Sequence, residues 1–226
     1  VAQNAYLSSA IVYDYYHRPG SIMSSLTEKH LDDLGLILEE TYKYYLDNKD
    51  FYPTPLALIN KMTSSVDFNK VKAILEPSAG TGDILEVLEQ KKKYYKHLDI
   101  DCIELDPNLQ LILKGKNYRL IHDDFLTFDS MKQYDLILAN FPFSDGEKHL
   151  LKALQMQERS GGAIICIVNA ETLRNDYTNA RKDINRRLTE YNAEIEYIKD
   201  GFVDAERKTY VEVALIKVII ADVKTD

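Results

Sequence analysis

Short apolar stretches alternate with amphipathic stretches through the central part of the chain. The apolar stretches predict strands and the amphipathic ones predict helices, because a strand buried on both faces is apolar throughout whereas a surface helix is apolar on one side. This alternation is typical of a parallel sheet with helices packed on both faces. The predicted strands are 71–75, 99–104, 118–122, 134–139 and 163–168, and the predicted helices are 56–62, 83–90, 109–114 and 147–159.

The two ends of the chain have different patterns. Residues 194–199 and 210–220 predict strands with no helix between them, which indicates an antiparallel hairpin at one edge of the sheet. Residues 1–50 predict a helical segment that contains one long helix over 25–46. The predicted fold class is therefore a doubly wound α/β domain over 51–226, with a mostly parallel sheet, preceded by this N-terminal helical segment.

Composition and charge narrow the range of functions. The chain has 36 Asp and Glu against 28 Lys and Arg, a net charge of −8, which disfavours non-specific binding to a polyanion. A nucleic-acid substrate would therefore require a local basic patch, a partner or a further segment. Cys102 and Cys166 lie in apolar runs and are expected as buried thiols. We expect a cytoplasmic protein with no membrane span and no metal, and we assign no catalytic role to its five scattered histidines.

A glycine-containing loop follows the first predicted strand. It runs from Glu76 to Asp83, and its glycines Gly80 and Gly82 allow a sharp turn and a close approach of the backbone to a ligand. The loop lacks the Lys and Ser or Thr of a phosphate-binding P-loop, and Glu76 would repel a phosphate. It therefore suits a cationic or amine-bearing ligand, with a plain tight turn as the alternative.

Polar residues also follow the next strands, where ligands bind in open α/β sheets. After the second strand, Glu104 is a candidate to accept hydrogen bonds from ribose hydroxyls, whereas Asp106 is expected to cap a helix. After the fourth strand, Asn140 precedes two aromatic rings, Phe141 and Phe143, that lie close to polar residues and hence to solvent.

Five short segments together resemble a known family. They are FYPTP at 51–55, EPSAGTG at 76–82, IELD at 103–106, DDF at 123–125 and NFPF at 140–143. Their order and spacing resemble those of S-adenosylmethionine-dependent N6-adenine DNA methyltransferases of the gamma motif order, including restriction-modification enzymes. The resemblance covers 51–220 and implies a class I methyltransferase fold, which is Rossmann-like.

The resemblance also implies roles for individual residues. It implies an S-adenosylmethionine site formed by Thr54, Glu76, Ser78, Gly80, Gly82, Glu104, Asp124 and Phe125. It implies a catalytic loop formed by Asn140, Phe141, Pro142 and Phe143, in which the Asn140 side chain and the Phe141 carbonyl accept the target amine and Phe143 stacks on the flipped base. Phe202 resembles a second aromatic clamp on the base, with a plain core position as the alternative.

The expected function is methyl transfer to the N6 amine of adenine in DNA, but alternatives remain open. Phe141 stands where DNA enzymes usually have proline, and RNA adenine methyltransferases often have another residue there. Protein glutamine methyltransferases use a similar loop, and a non-catalytic methyltransferase-like binding module is a further alternative. The chain has no segment with the length or basic character of a target-recognition domain, so we expect a separate domain or subunit to supply one.

Overall fold

The structure is a computed structural model that describes residues 52–202 and 211–222. The predicted helix over 25–46, Phe51 and the start of the last predicted strand lie outside these residues. The described helices are α1 (Leu56–Thr63), α2 (Asp83–Lys92), α3 (Pro107–Gly115), α4 (Gly146–Ser160), α5 (Glu171–Arg174) and α6 (Asn179–Glu190). Among the described residues, no helix combines the length and the apolar character that crossing a membrane requires.

The described residues form one seven-stranded sheet. The strands are β1 (Ala73–Glu76), β2 (Asp99–Ile103), β3 (Leu120–His122), β4 (Leu136–Asn140), β5 (Gly162–Asn169), β6 (Glu194–Ile198) and β7 (Val213–Ile220). Their order in the sheet is β3-β2-β1-β4-β5-β7-β6. Strands β1 to β5 are parallel, and β7 runs antiparallel to both β5 and β6, which confirms the predicted edge hairpin and the predicted mostly parallel α/β sheet.

The central strands are apolar on both faces because helices cover both sides of the sheet. Successive residues of a strand point to opposite faces, and the core accordingly divides into two clusters. Leu75 of β1 and Ile137 of β4 pack on one side, whereas Ile74 and Leu136 pack on the other. Burial of this kind stabilises the fold by roughly 25 cal/mol for each Å² of apolar surface removed from water. The two cysteines are buried and free, as expected.

Two helices, α5 and α6, were not predicted. The stretch between β5 and β6 is rich in charged and amide residues, and the buried residues of α6 are only Ile184 and Leu188. Two apolar residues four apart give too weak a helical period to be recognised in the sequence. Ile184 and Leu188 join the core cluster, and ion pairs such as Arg187 to Asp183 and Arg181 to Glu147 lie on the polar side of the helix.

Strand order creates a crevice at one edge of the sheet. From β1 the chain proceeds outward to β2 and β3, and β4 then returns to the other side of β1 and pairs with it. Ligands bind in open α/β sheets at such a reversal, outside the carboxyl ends of the strands. Glu76 ends β1 and Asn140 ends β4, so the topology brings the glycine loop and the NFPF segment to the same crevice.

The glycine loop needs its second glycine for steric reasons. Gly82 has φ of +91°, and a Cβ atom there would lie 2.7 Å from Cε2 of Tyr118. The carbonyl of Gly82 also accepts a hydrogen bond from the backbone amide of Glu86 at 2.9 Å, where α2 begins. A side chain at position 82 would therefore strain the start of this helix. The position therefore demands glycine, although the residue itself does not line the crevice.

We expect Gly82→Ala to lower the free energy of unfolding by about 1–3 kcal/mol, since the new side chain meets both a disfavoured φ and the Tyr118 ring. Gly115→Ala, at the end of α3, is the control because a Cβ there has nothing within 4 Å. Urea denaturation measures both. A Gly82→Ala protein as stable as the wild type would contradict this account of the loop.

Candidate active site

A cavity of about 560 Å³ lies at the carboxyl ends of β1, β2 and β4. A cavity of this size suits a small organic ligand or cofactor. The structure brings together in its wall nearly all the predicted site residues, from segments far apart in the sequence. They are Thr54, Glu76, Ser78, Gly80, Glu104, Asp124, Phe125, Asn140, Phe141, Pro142 and Phe143. Of the predicted set, Gly82 and Phe202 do not line the cavity.

Glu104 ties the glycine loop to the end of β2. Its Oε2 accepts the backbone amide of Gly80 at 2.6 Å, and its Oε1 accepts that of Asp106 at 2.9 Å. The amide of Ala79 also donates to the carbonyl of Ile103 at 3.0 Å. Burial raises the pKa of Glu104, although the two backbone amides oppose the rise. Each carboxylate oxygen keeps a lone pair for a further donor, such as a hydroxyl group.

Glu76 has a buried oxygen without a partner. The residue is 1% exposed, and its Oε2 has no hydrogen-bond partner within the described part of the chain. Burial, followed by the negative charges of Asp83 and Glu104, raises its pKa well above the ordinary 4.5. A cationic donor placed in the cavity would satisfy this oxygen and favour the ionised form.

The amide of Asn140 is held in one orientation. Its Nδ2 donates to the backbone carbonyl of Tyr52 and to Oγ1 of Thr54, both at 3.1 Å. A carbonyl oxygen can only accept, so the nitrogen must face Tyr52. The Oδ1 atom is then left buried, with no partner among residues 52–202 and 211–222. Asn140 lines the cavity at the end of β4, and the acceptor capacity of its oxygen is unused there.

Three aromatic rings pack beside this amide. Phe143 stacks on Tyr52 with a centroid distance of 4.6 Å and an interplanar angle of 23°. Phe202 lies edge-on to Phe143 at 5.8 Å and is fully buried. Phe202 does not line the cavity, and this placement fits the core position that the sequence left open as the alternative to a base clamp. In this structure Phe202 supports Phe143 from behind.

The ring of Phe141 points away from solvent. It is buried against Phe125, at 6.2 Å between centroids, and against His149, at 5.6 Å. Nδ1 of His149 lies 2.9 Å from the carbonyl of Asp145, so this nitrogen carries the hydrogen, and burial lowers the pKa of the ring. The three rings form one wall of the cavity. Phe125 itself is only 2% exposed, so its predicted contact with a cofactor would involve little of its surface.

The charged side chains that line the cavity are acidic. Its lining within the described residues includes no Lys or Arg, and its acidic members are Glu76, Asp83, Glu104, Asp106, Asp123, Asp124 and Asp145. Carboxylates at short range favour a cation and oppose a phosphate. The site thus suits a positively charged ligand, as the sequence predicts for Glu76.

Asp83, Tyr52 and His149 are among the cavity residues that were not predicted as site residues. Asp83 accepts the amide of Thr54 through Oδ2 at 3.0 Å, whereas Tyr52 and His149 contribute rings and a carbonyl. The acidic residue directly after the glycine loop was a usable signal for Asp83, although it also fits the first turn of a helix. Tyr52 lies in the FYPTP segment, but the sequence did not indicate that its backbone carbonyl bonds Asn140, and nothing local indicates His149. Both roles depend on contacts with distant segments.

Comparison with known proteins gives the same fold. No family model matches the chain. Ribosomal RNA small subunit methyltransferase A of Mesomycoplasma hyopneumoniae (strain 232) is 34% identical over 118 residues, which are 50% of this chain and 43% of that protein. Type II methyltransferase M.CvrRI of Paramecium bursaria Chlorella virus XZ-6E is 38% identical over 71 residues, which are 31% of this chain and 18% of that protein.

Solved structures agree at low sequence identity. The methyltransferase subunit of a type I restriction-modification system from Streptococcus thermophilus superimposes with a TM-score of 0.66 at 15% identity, over 85% of this chain and 49% of that one. The 23S rRNA methyltransferase ErmE gives a TM-score of 0.55 at 14% identity, over 76% and 70%. The chain spans less than half the length of the curated relatives named above. It has the class I fold of S-adenosylmethionine-dependent methyltransferases, and its cavity fits that cofactor.

The buried carboxyl of Glu76, which has one oxygen without a partner among the described residues, predicts a pH-dependent change in stability. Its folded-state pKa lies above its unfolded value, so the folded protein loses stability as pH rises from about 4.5 through the raised pKa. We expect Glu76→Gln to raise the free energy of unfolding by about 1–3 kcal/mol at pH 8, because it removes a buried charge, and to have little effect near pH 4.5.

Urea denaturation of both proteins at the two pH values measures this difference. Glu86→Gln, at an exposed position on α2, is the control and should change the free energy of unfolding by less than about 0.5 kcal/mol. An equal effect of Glu76→Gln at both pH values, or a loss of stability at pH 8, would show that the carboxyl is satisfied in the fold.

Proposed function

We propose that this chain transfers a methyl group from S-adenosylmethionine to the N6 amine of adenine in DNA. One observation carries the proposal: the buried Oδ1 of Asn140, unpaired within the described residues and fixed in orientation, at the wall of a cavity that suits a cation. An acceptor of this kind fits the hydrogens of an amine. The aromatic ring of Phe143, three residues later, fits the plane of a base.

The acidic half of the cavity fits the cofactor. When bound, S-adenosylmethionine supplies a methyl group that is activated by a positively charged sulfur. The unpaired Oε2 of Glu76 would accept the ammonium group of its methionine end, and Glu104 would accept hydroxyls of its ribose. Asp124 and Phe125 would lie beside its adenine. Gly80 belongs to the backbone turn that lets the ligand approach, with φ of +57°.

The NFPF segment fits the target amine. The adenine amino nitrogen is a poor nucleophile, because its lone pair is delocalised into the ring. Oδ1 of Asn140 and the backbone carbonyl of Phe141 would accept its two hydrogens, favour a pyramidal nitrogen and stabilise the positive charge that develops on it. Because Asn140 is already oriented, no reorganisation is needed. The proton leaves to water after transfer, and the chain mainly positions its reactants.

Both a DNA and an RNA substrate have support. The FYPTP segment, the viral type II methyltransferase and the type I restriction-modification subunit support DNA. Phe141 in place of proline and the match to ribosomal RNA methyltransferases over half of the chain support RNA adenine as the second candidate. In either case the acidic cavity offers no cation to the phosphates, so we propose that a basic partner subunit or domain holds the polymer.

Parallel transfer assays distinguish the candidates. The purified chain is incubated with S-adenosylmethionine labelled in the methyl group and with unmethylated genomic DNA, unmodified ribosomal RNA or protein. Each substrate is supplied at high concentration, so that weak binding without the proposed partner does not prevent transfer. We expect label in DNA, recovered as N6-methyladenine. Label in RNA alone would replace DNA by the second candidate, and label in protein would contradict an adenine target. Cofactor binding without transfer to any of them would favour a non-catalytic module.

We expect Asn140→Ala to reduce the rate of methyl transfer by about 100-fold or more, because it removes an acceptor that acts on charge developing in the transition state. The dissociation constant for S-adenosylmethionine, measured by calorimetry, should change less than about twofold, since the acceptor faces the target amine. An equal loss of transfer and of cofactor affinity would mean that Asn140 is structural.

Asn169→Ala is the matched control for this variant. Asn169 ends β5, the strand next to β4, and its Oδ1 caps the backbone amide of Glu171 at 2.9 Å without lining the cavity. We expect this control to retain the wild-type transfer rate. A similar loss in the two variants would point to general damage at the ends of the strands rather than to chemistry at Asn140.

A further inference from the structure

We infer that Thr54 is a positioning residue: together with the Tyr52 carbonyl it holds the Asn140 amide with its oxygen toward the target amine. The inference rests on the proposed function and deepens it. It assigns Thr54 of the FYPTP segment a role toward the target amine, in addition to the cofactor contact that the resemblance implies. The contacts that carry it join residues 86 and 88 positions apart along the chain.

The hydrogen bonds of the Asn140 side-chain amide are compatible with one orientation of that amide. A primary amide has two N–H donors and one oxygen acceptor. Both donors of Asn140 are used, one on the Tyr52 carbonyl and one on Thr54 Oγ1, each at 3.1 Å. The oxygen has no partner in the described structure and is buried. The amide is therefore satisfied on its nitrogen side and unsatisfied on its oxygen side.

The opposite orientation would be inactive and unfavourable. A flip of the amide by 180° would place Oδ1 against the Tyr52 carbonyl, where two acceptor oxygens would repel each other. It would also turn an NH₂ group toward the target amine, which carries two hydrogens of its own and needs acceptors. The Tyr52 carbonyl thus selects the orientation in which the oxygen is left for the substrate. The Thr54 hydroxyl, which could also donate, adds the second hydrogen bond that holds the amide in that orientation.

Thr54 is itself held firmly. It is 9% exposed, and its backbone amide donates to Oδ2 of Asp83 at 3.0 Å. Oδ1 of Asp83 lies 3.2 Å from the hydroxyl of Thr81 in the glycine loop. A chain of contacts therefore runs from the glycine loop through Asp83 and Thr54 to Asn140. It links the half of the cavity proposed for the cofactor to the half proposed for the base.

The substitution Thr54→Val tests the inference. Valine keeps the shape and the backbone amide but cannot accept a hydrogen bond, so one N–H of Asn140 loses its partner. We expect the turnover number for methyl transfer to fall about 10- to 100-fold. The dissociation constant for S-adenosylmethionine should change less than about threefold, and Thr54→Ser, which restores the acceptor, should recover most of the turnover.

Thr63→Val is the matched control. Thr63 is a buried threonine on α1 whose hydroxyl bonds to the carbonyl of Ile59 at 2.9 Å, and it does not line the cavity. Its loss of a buried hydroxyl should lower the melting temperature without changing turnover. A turnover loss shared by both variants, or a Thr54→Val defect confined to cofactor affinity, would overturn the inference.

A second readout does not depend on activity. In protein labelled with ¹⁵N-asparagine, the side-chain NH₂ signal of Asn140 is identified by its loss in Asn140→Ala. We expect one of its two protons to shift and to exchange faster with water in Thr54→Val, and to return toward wild type in Thr54→Ser. An unchanged signal in Thr54→Val would overturn the inference. If the wild type transfers no methyl group, the proposed function fails, and this signal still decides whether Thr54 holds the amide.

Discussion

The proposed site depends on two buried acceptor oxygens. Oε2 of Glu76 and Oδ1 of Asn140 have no hydrogen-bond partner in the part of the chain that the structure describes. An unpaired buried acceptor costs about 1–3 kcal/mol. Both oxygens lie at the same edge of the sheet, at the ends of adjacent strands, where a ligand with an ammonium group and a ligand with an amino group would satisfy them. At this edge the described fold therefore leaves two acceptors that a ligand, rather than the chain itself, would satisfy.

The rest of the molecule holds these oxygens in place. The reversal of strand order between β1 and β4 brings their carboxyl ends together, and the apolar core on both faces of the sheet fixes the strands. Glu104 secures the glycine loop through two backbone amides, and Thr54 secures Asn140. The rings of Phe141 and Phe202 are buried, and Phe202 packs edge-on against Phe143. These two aromatic residues therefore support the site, and Phe143 is the ring that we propose to stack on a base.

The sequence is sufficient for the sheet but not for the contacts between distant segments. The parallel strands were predicted because continuous apolar runs are typical of strands covered on both faces, and the motifs at their ends were placed together because parallel strands share one carboxyl edge. Helix α6 was missed, since it buries only Ile184 and Leu188. The partners of Asn140 were also missed, because no periodicity relates it to Tyr52 and Thr54. Phe202 was expected to face a base, and its full burial depends on packing that only the folded chain reveals.

Calorimetric titration with S-adenosylmethionine over pH 5 to 8 tests the central claim most directly. If the carboxyl of Glu76 meets the cationic end of the cofactor, one molecule binds to each chain. Titrations in buffers of different ionisation enthalpy measure the protons exchanged on binding. We expect protons to be released, because the cation lowers the raised pKa of that carboxyl. Absence of binding at millimolar cofactor, or binding accompanied by proton uptake, would contradict the account.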